Sequence, residues 1–166
     1  MNIFVKIQGM THDSILQKLI RFCSYRERSP YEINEKLKKI GVVDERERNQ
    51  FLKYLEETGI LSESRFLEQY ISGKIYLKKW GPKKILYEIK KYGIPPSKIH
   101  EKLDLEEGTF YKHAAEIAEK KLKNKRCISG HEQLKLFRYL YGKGYPEEII
   151  QDVLKKYTTN ESGSEE

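Results

Sequence analysis

Residues 82–93 read PKKILYEIKKYG, and residues 30–41 read PYEINEKLKKIG. The two share one register: Pro82, Ile85, Ile89 and Gly93 stand where Pro30, Ile33, Leu37 and Gly41 stand, 52 residues earlier. Apolar side chains four apart lie on one helix face, proline suits a first helical turn, and glycine suits the left-handed residue that closes a helix. Each copy therefore reads as a short amphipathic helix with defined ends. A weaker third copy puts Leu136, Leu140 and Gly144 at the same positions, with Gln133 in place of the proline. The register predicts burial of Leu37, Ile89 and Leu140, and a positive φ at most of Gly41, Gly93 and Gly144.

The flanking segments extend the repeat. Ile99 and Leu103 follow Gly93 by six and ten residues, as Ile150 and Leu154 follow Gly144. After Gly41, Asp44 is placed to cap a helix with Phe51, Leu52 and Leu55 on its apolar face, ended by Gly59. Helix-compatible segments at about 13–25, 63–79 and 106–124 precede the three copies. The expected fold is all-α: nine helices in three tandem three-helix repeats, at 13–58, 62–104 and 105–157, in an elongated, curved arrangement. The lead-in, 1–12, contains NIFVKI, whose Ile3, Val5 and Ile7 have strand spacing; it reads as a short edge strand or an unstructured lead-in. Residues 158–166, TTNESGSEE, have nothing to pack and read as a mobile acidic tail.

Composition fits small modules better than one large core: 34% of the 166 residues are charged and the mean hydropathy is −0.75. No apolar run approaches membrane-spanning length, and the first residues lack the pattern of a secretory signal. With Cys23 and Cys127 the only thiols, the expected setting is the reducing cytoplasm. His12, His100, His113 and His131 are scattered, and no Gly-rich phosphate loop, nucleophile elbow or paired-carboxylate motif occurs. Cys127-x-x-x-His131 is half of a metal site whose other half is missing. The reading is a non-enzyme with no cofactor, no metal and no catalytic residues.

The charge is where the sequence is most informative. The net charge is +7, and residues 71–100 hold eight lysines against Glu88 alone, while the rest of the chain balances. A localised positive field is what a polyanion or an acidic protein surface meets. With Ile85, Leu86, Ile89 and Tyr92 turned inward, Lys83, Tyr87, Lys90 and Lys91 face outward and Lys84 flanks them. Lys74 and Lys78 form an i,i+4 pair upstream, and Lys79 precedes Trp80 at a helix exit. The candidate surface is thus Lys74, Lys78, Lys79, Lys83, Lys84, Tyr87, Lys90 and Lys91. Trp80 reads either as a core residue at a helix junction or as an exposed anchor. Lys120, Lys121, Lys123 and Arg126 form a second basic run, which extends the face or merely complements a helix C-terminus. Arg26 and Arg28 either pair locally with Glu27 or Glu32 or contact a partner.

Three patterns occur in order: Arg26-x-Arg28-Ser29-Pro30-x-Glu32-x-x-x-x-Leu37-x-x-x-Gly41; Leu55-x-x-x-Gly59-x-Leu61 with Arg65-Phe66; and Gly81-Pro82-x-x-Ile85-x-x-x-Ile89-x-x-x-Gly93-Ile94. Together they resemble the RecX family of regulators of the RecA recombinase, over about residues 14–157. Glu63 and Leu67 stand where that family often has Asp and Ala. The resemblance implies a monomeric helical-repeat protein that lies in the groove of a RecA filament on DNA and inhibits ATPase and strand exchange. It further implies contact with single- or double-stranded DNA that is weak and without sequence preference. The alternative is a plain helix-turn-helix DNA-binding protein, with helix, tight turn at Gly93 and a second helix from about Pro96. That second helix begins Pro96-Ser97-Lys98-Ile99-His100 and has few of the side chains that read base edges.

Overall fold

The proline-to-glycine register folds as its spacing requires. The structure, a computed structural model, describes residues 11–123 and 125–158. Among these, the α-helices in chain order are α1 (His12–Ser24), α2 (Pro30–Ile40), α3 (Glu45–Glu57), α4 (Glu63–Ser72), α5 (Pro82–Ile89), α6 (His100–Asp104), α7 (Glu107–Leu122), α8 (Gly130–Gly142) and α9 (Glu147–Lys155), with no strand. The strand considered for residues 2–8 and the tail from 159 onward lie outside the described residues. Leu37, Ile89 and Leu140 are all at 0% exposure. Gly41, Gly93 and Gly144 take φ of 102°, 70° and 88°.

The third copy starts earlier than the proline alignment implied. Ser129, not a residue beside Gln133, caps α8: its hydroxyl accepts from the Glu132 N–H while the Glu132 carboxylate accepts from the Ser129 N–H. Ser29 and Glu32 make the same reciprocal cap on α2. A box of this kind satisfies two amide donors that the first turn leaves open, so it fixes where a helix begins. In the third copy it stands one turn upstream of the position that proline takes in the others.

Two compact units divide the chain, Met1–Tyr70 and Ile71–Glu166, with the boundary inside α4. In the first, α1, α2 and α3 bury Ile15, Leu19, Ile33, Leu37, Phe51 and Leu55 together with Val42 and Leu61. Its arginines are spent on structure. The Arg28 guanidinium lies 3.7 Å from the Phe22 ring centroid, and its Nε donates to the Phe22 carbonyl. Arg26 donates to the Glu32 carboxylate at 2.5 Å, and Arg65 pairs with Glu27 at 2.8 Å while donating to the Gly59 carbonyl.

In the second unit α7 is the central element. It buries Phe110, His113, Ala114, Ile117, Ala118 and Leu122, and it packs on α8 and α9. α4 runs on into a π-helical turn, Gly73–Leu77, and α5 into a 3₁₀ turn, Lys90–Tyr92. The π turn lets the chain reverse sharply: Lys78 N–H donates to the Gly73 carbonyl, Trp80 N–H to the Lys74 carbonyl, and Lys79 takes the left-handed conformation at φ 49°. That reversal delivers Trp80 and Gly81 to the start of α5.

Candidate functional site

Gly81 and Gly144 bring two distant segments into backbone contact. Gly81 N–H donates to the Lys143 carbonyl at 2.8 Å and Lys83 N–H to the Gly144 carbonyl at 3.0 Å. Side chains complete the joint: Lys143 Nζ donates to the Lys78 carbonyl at 3.0 Å, and Tyr145 Oη donates to the Lys79 carbonyl at 3.1 Å. Tyr145 is fully buried, and burial pushes its phenol upward, so it stays neutral and able to donate. The joint therefore fixes the residue 78–84 segment against the α8–α9 turn.

Lysines from three places converge there. Lys74 Nζ lies 4.4 Å and Lys84 Nζ 4.6 Å from the Trp80 ring centroid. Lys121 Nζ, from the last turn of α7, lies 3.6 Å from the Tyr139 centroid, and Lys143 Nζ lies 5.7 Å from it. Lys143 is half-buried, and its ammonium is pushed below the usual lysine range first by that burial and then by the fields of Lys84, Lys121, Lys78 and Lys79. Five cations thus act on one region. An aromatic face attracts an ammonium by its quadrupole, so Trp80 and Tyr139 hold like charges near one another that would otherwise spread apart.

Trp80 is half-buried beside its lysines, between the core and the exposed anchor that the sequence offered. Lys79 is matched by Glu116, whose carboxyl is held below its ordinary range first by that hydrogen bond. Lys83, Tyr87 and Lys90 are exposed along the outer flank of α5 and the turn after it, and Lys91 pairs with Glu88 at 2.6 Å. Lys120, Lys123 and Arg126 are exposed near Lys121 in sequence, and Lys125 pairs with Glu132 at 2.6 Å. The Lys125 hydrogen bond, with the Ser129 N–H, lowers the Glu132 carboxyl to about 2.

Sequence reasoning missed Lys143 and Tyr139. A signal for Lys143 was present: the residue before the closing glycine is Ile40 in the first copy, Tyr92 in the second and Lys143 in the third. A charge at an otherwise apolar or aromatic position marks a place where the third copy does something different.

His113 lies under this region, buried, edge-on to Tyr76 at 5.8 Å between centroids, with Nδ1 lacking a hydrogen-bond partner. Burial first, then the Lys79 charge, lowers its affinity for a proton; Lys112 acts in the same sense, and Glu116 and Glu106 oppose it. The folded chain thus binds this proton less well than the unfolded one. Its contribution to stability is present above the ordinary histidine value of about 6.5 and is lost as pH falls through the lower folded value. Urea denaturation between pH 7.5 and 5 should show that decline, and His113→Leu should flatten it; an equal decline in the variant would assign the effect elsewhere.

Among the described residues no group of three or more His, Cys, Asp or Glu side chains is arranged to hold a metal ion. No described helix is long and apolar enough to cross a membrane.

Two family models match the second unit and the segment leading into it: "RecX, second three-helix domain" over residues 62–103 and "RecX, third three-helix domain" over residues 109–154. The regulatory protein RecX of Legionella pneumophila (strain Corby) is 33% identical over 144 residues, covering 87% of this chain and 92% of the relative. That of Prosthecochloris aestuarii is 28% identical over 148 residues, covering 87% and 94%. The crystal structure of RecX from Lactobacillus salivarius superposes with a TM-score of 0.73 at 20% identity, covering 86% of this chain and 94% of that one.

Proposed function

The chain belongs to the RecX family, and on that premise we propose that it is a negative regulator of RecA. In this reading it docks in the groove of the RecA–DNA filament and inhibits ATPase and strand exchange without catalysing a reaction itself. It works in the cytoplasm as a monomer built of three helical repeats, at 13–58, 62–104 and 105–157.

One observation carries the reading: the convergence of Lys78, Lys84, Lys121 and Lys143 around Trp80 and Tyr139. A cluster of cations held together at such cost in mutual repulsion suits a partner of many negative charges, and a protein filament wrapped on DNA offers both phosphate and carboxylate. The wider docking face takes in Lys74, Lys79, Lys83, Tyr87, Lys90 and Lys91, with Lys120, Lys123 and Arg126 at its edge. DNA contacts made by lysine alone are weak and indifferent to sequence, because a point charge meets the phosphate and not the base edge.

The helix-turn-helix alternative draws little support from the geometry. The segment that would read the major groove is a 3₁₀ turn, Pro96–Lys98, followed by the five residues of α6. So short a helix leaves few side chains for base edges. Co-sedimentation separates the two: the protein should pellet with RecA filaments assembled on single-stranded DNA far more than with the DNA alone. Equal pelleting with DNA alone, together with preference for one sequence, would favour the alternative.

A further inference from the structure

The second unit has another face of opposite character. Leu86, Phe110 and Ile149 lie in a groove of about 400 Å³ between α5, α6, the start of α7 and the start of α9, and Asp104, Glu107 and Glu148 line it with them. Leu86 and Ile149 are only half-buried, whereas the three carboxylates are exposed. On α5, Leu86 lies roughly 160° around the helix from Lys84, so the groove and the lysine cluster flank the buried stripe of Ile85 and Ile89 on opposite sides.

The sign of this groove is the informative part. Residues 71–158 carry twenty lysines and arginines against eleven acids, yet the groove is lined by three carboxylates, none of which forms an ion pair among the described residues. Glu107 and Glu148 sit in the first turns of α7 and α9, where the helix macrodipole favours an acid. Asp104 has no such reason. It is the last residue of α6, the end at which the macrodipole disfavours a negative charge. Apolar floor and unpaired carboxylate rim together complement a segment that presents apolar side chains flanked by cations.

We propose that this groove docks a cationic amphipathic helix of a protein partner, with leucine-type side chains entering over Leu86, Phe110 and Ile149 and lysine or arginine meeting Asp104, Glu107 and Glu148. Recognition of this kind places apolar anchors of one helix turn after another in a preformed groove, and the rim charges set orientation and exclude acidic competitors. The lysine cluster then takes a polyanion on one flank of α5 while the groove takes a protein segment on the other.

The test uses the full chain, isotope-labelled, and a short leucine–lysine peptide patterned to form one apolar helix face. Binding should move the amides of residues 86, 103–110 and 148–149. A leucine–glutamate peptide and a lysine–serine peptide of equal length should bind at least tenfold more weakly. The triple variant Asp104→Asn, Glu107→Gln, Glu148→Gln changes exposed positions and keeps the fold; it should weaken the leucine–lysine peptide tenfold or more, and Ile149→Ala should weaken it as well. Unchanged binding by either variant, equal binding of the lysine–serine peptide, or shifts located elsewhere would overturn the proposal. A concentration-dependent dimer abolished by the triple variant would give the groove to a second copy of this chain, and would overturn it too.

Discussion

Gly144→Ala should destabilise the second unit by about 4 kcal/mol, several times the effect of the same change at Gly59. Both glycines have positive φ, 88° and 72°, so both substitutions force an L-residue into the left-handed region at roughly 1–2 kcal/mol. The surroundings differ. A Cβ on Gly59 meets nothing within 4 Å, whereas a Cβ on Gly144 falls 2.4 Å from both the Lys84 Cβ and its backbone nitrogen. Backbone cannot swing aside as a long side chain can. Relief requires the α8–α9 turn to withdraw from α5, which breaks Lys83 N–H to Gly144 carbonyl and Gly81 N–H to Lys143 carbonyl. Gly81→Ala should behave alike, since its Cβ falls 2.3 Å from the Gly144 carbonyl carbon. Urea denaturation of the three variants decides the matter: Gly144→Ala no worse than Gly59→Ala would mean that the close approach does not exist in solution.

That joint also marks the line between what could and could not be read from the sequence. The helices were legible because their signals are local. Pro30 and Pro82 open helices, Gly41 and Gly93 end them, and apolar residues at four-residue spacing fall on the buried face. Where a local signal misled, a stronger local signal explains it: the Ser129–Glu132 capping box started α8 one turn before Gln133. The eight-lysine segment was legible as charge, but its arrangement was not. Which lysines meet depends on Gly81 lying against Gly144, on Tyr145 reaching the Lys79 carbonyl, and on the π turn that puts Lys79 at φ 49°. Each of those joins residues far apart in the chain or departs from helical periodicity. Glu116 shows the same limit, since it lies 37 residues from the Lys79 charge it matches.

The double variant Lys84→Gln, Lys121→Gln should weaken inhibition of RecA's DNA-dependent ATPase about 30-fold, from about 1 kcal/mol for each exposed charged contact. Its fold should be nearly unaltered, because substitutions at accessible positions without special backbone geometry usually act within about 0.5 kcal/mol. These two lysines are chosen because they belong to different helices and meet different rings, Trp80 and Tyr139. Losing both removes the cluster's charge from two sides while leaving the backbone joint in place. Trp80 is the chain's single tryptophan, so its emission reports loss of the Lys84 ammonium independently of any partner. If the partner atoms are phosphates, the salt dependence of binding should also fall, by about one unit of log–log slope for each lysine removed. The comparison that gives the result meaning is Lys83→Glu, Lys90→Glu, Lys91→Glu, on the outer flank of α5, where Lys91 already pairs with Glu88. Those positions act through the general field, so this triple should slow association and cost less than the double neutralisation, despite changing more charge. If the triple instead abolished inhibition while the double left potency and salt slope unchanged, the docking surface would be the outer lysine face of α5, and the ring-held cluster would serve only to brace Trp80 and Tyr139 within the second unit.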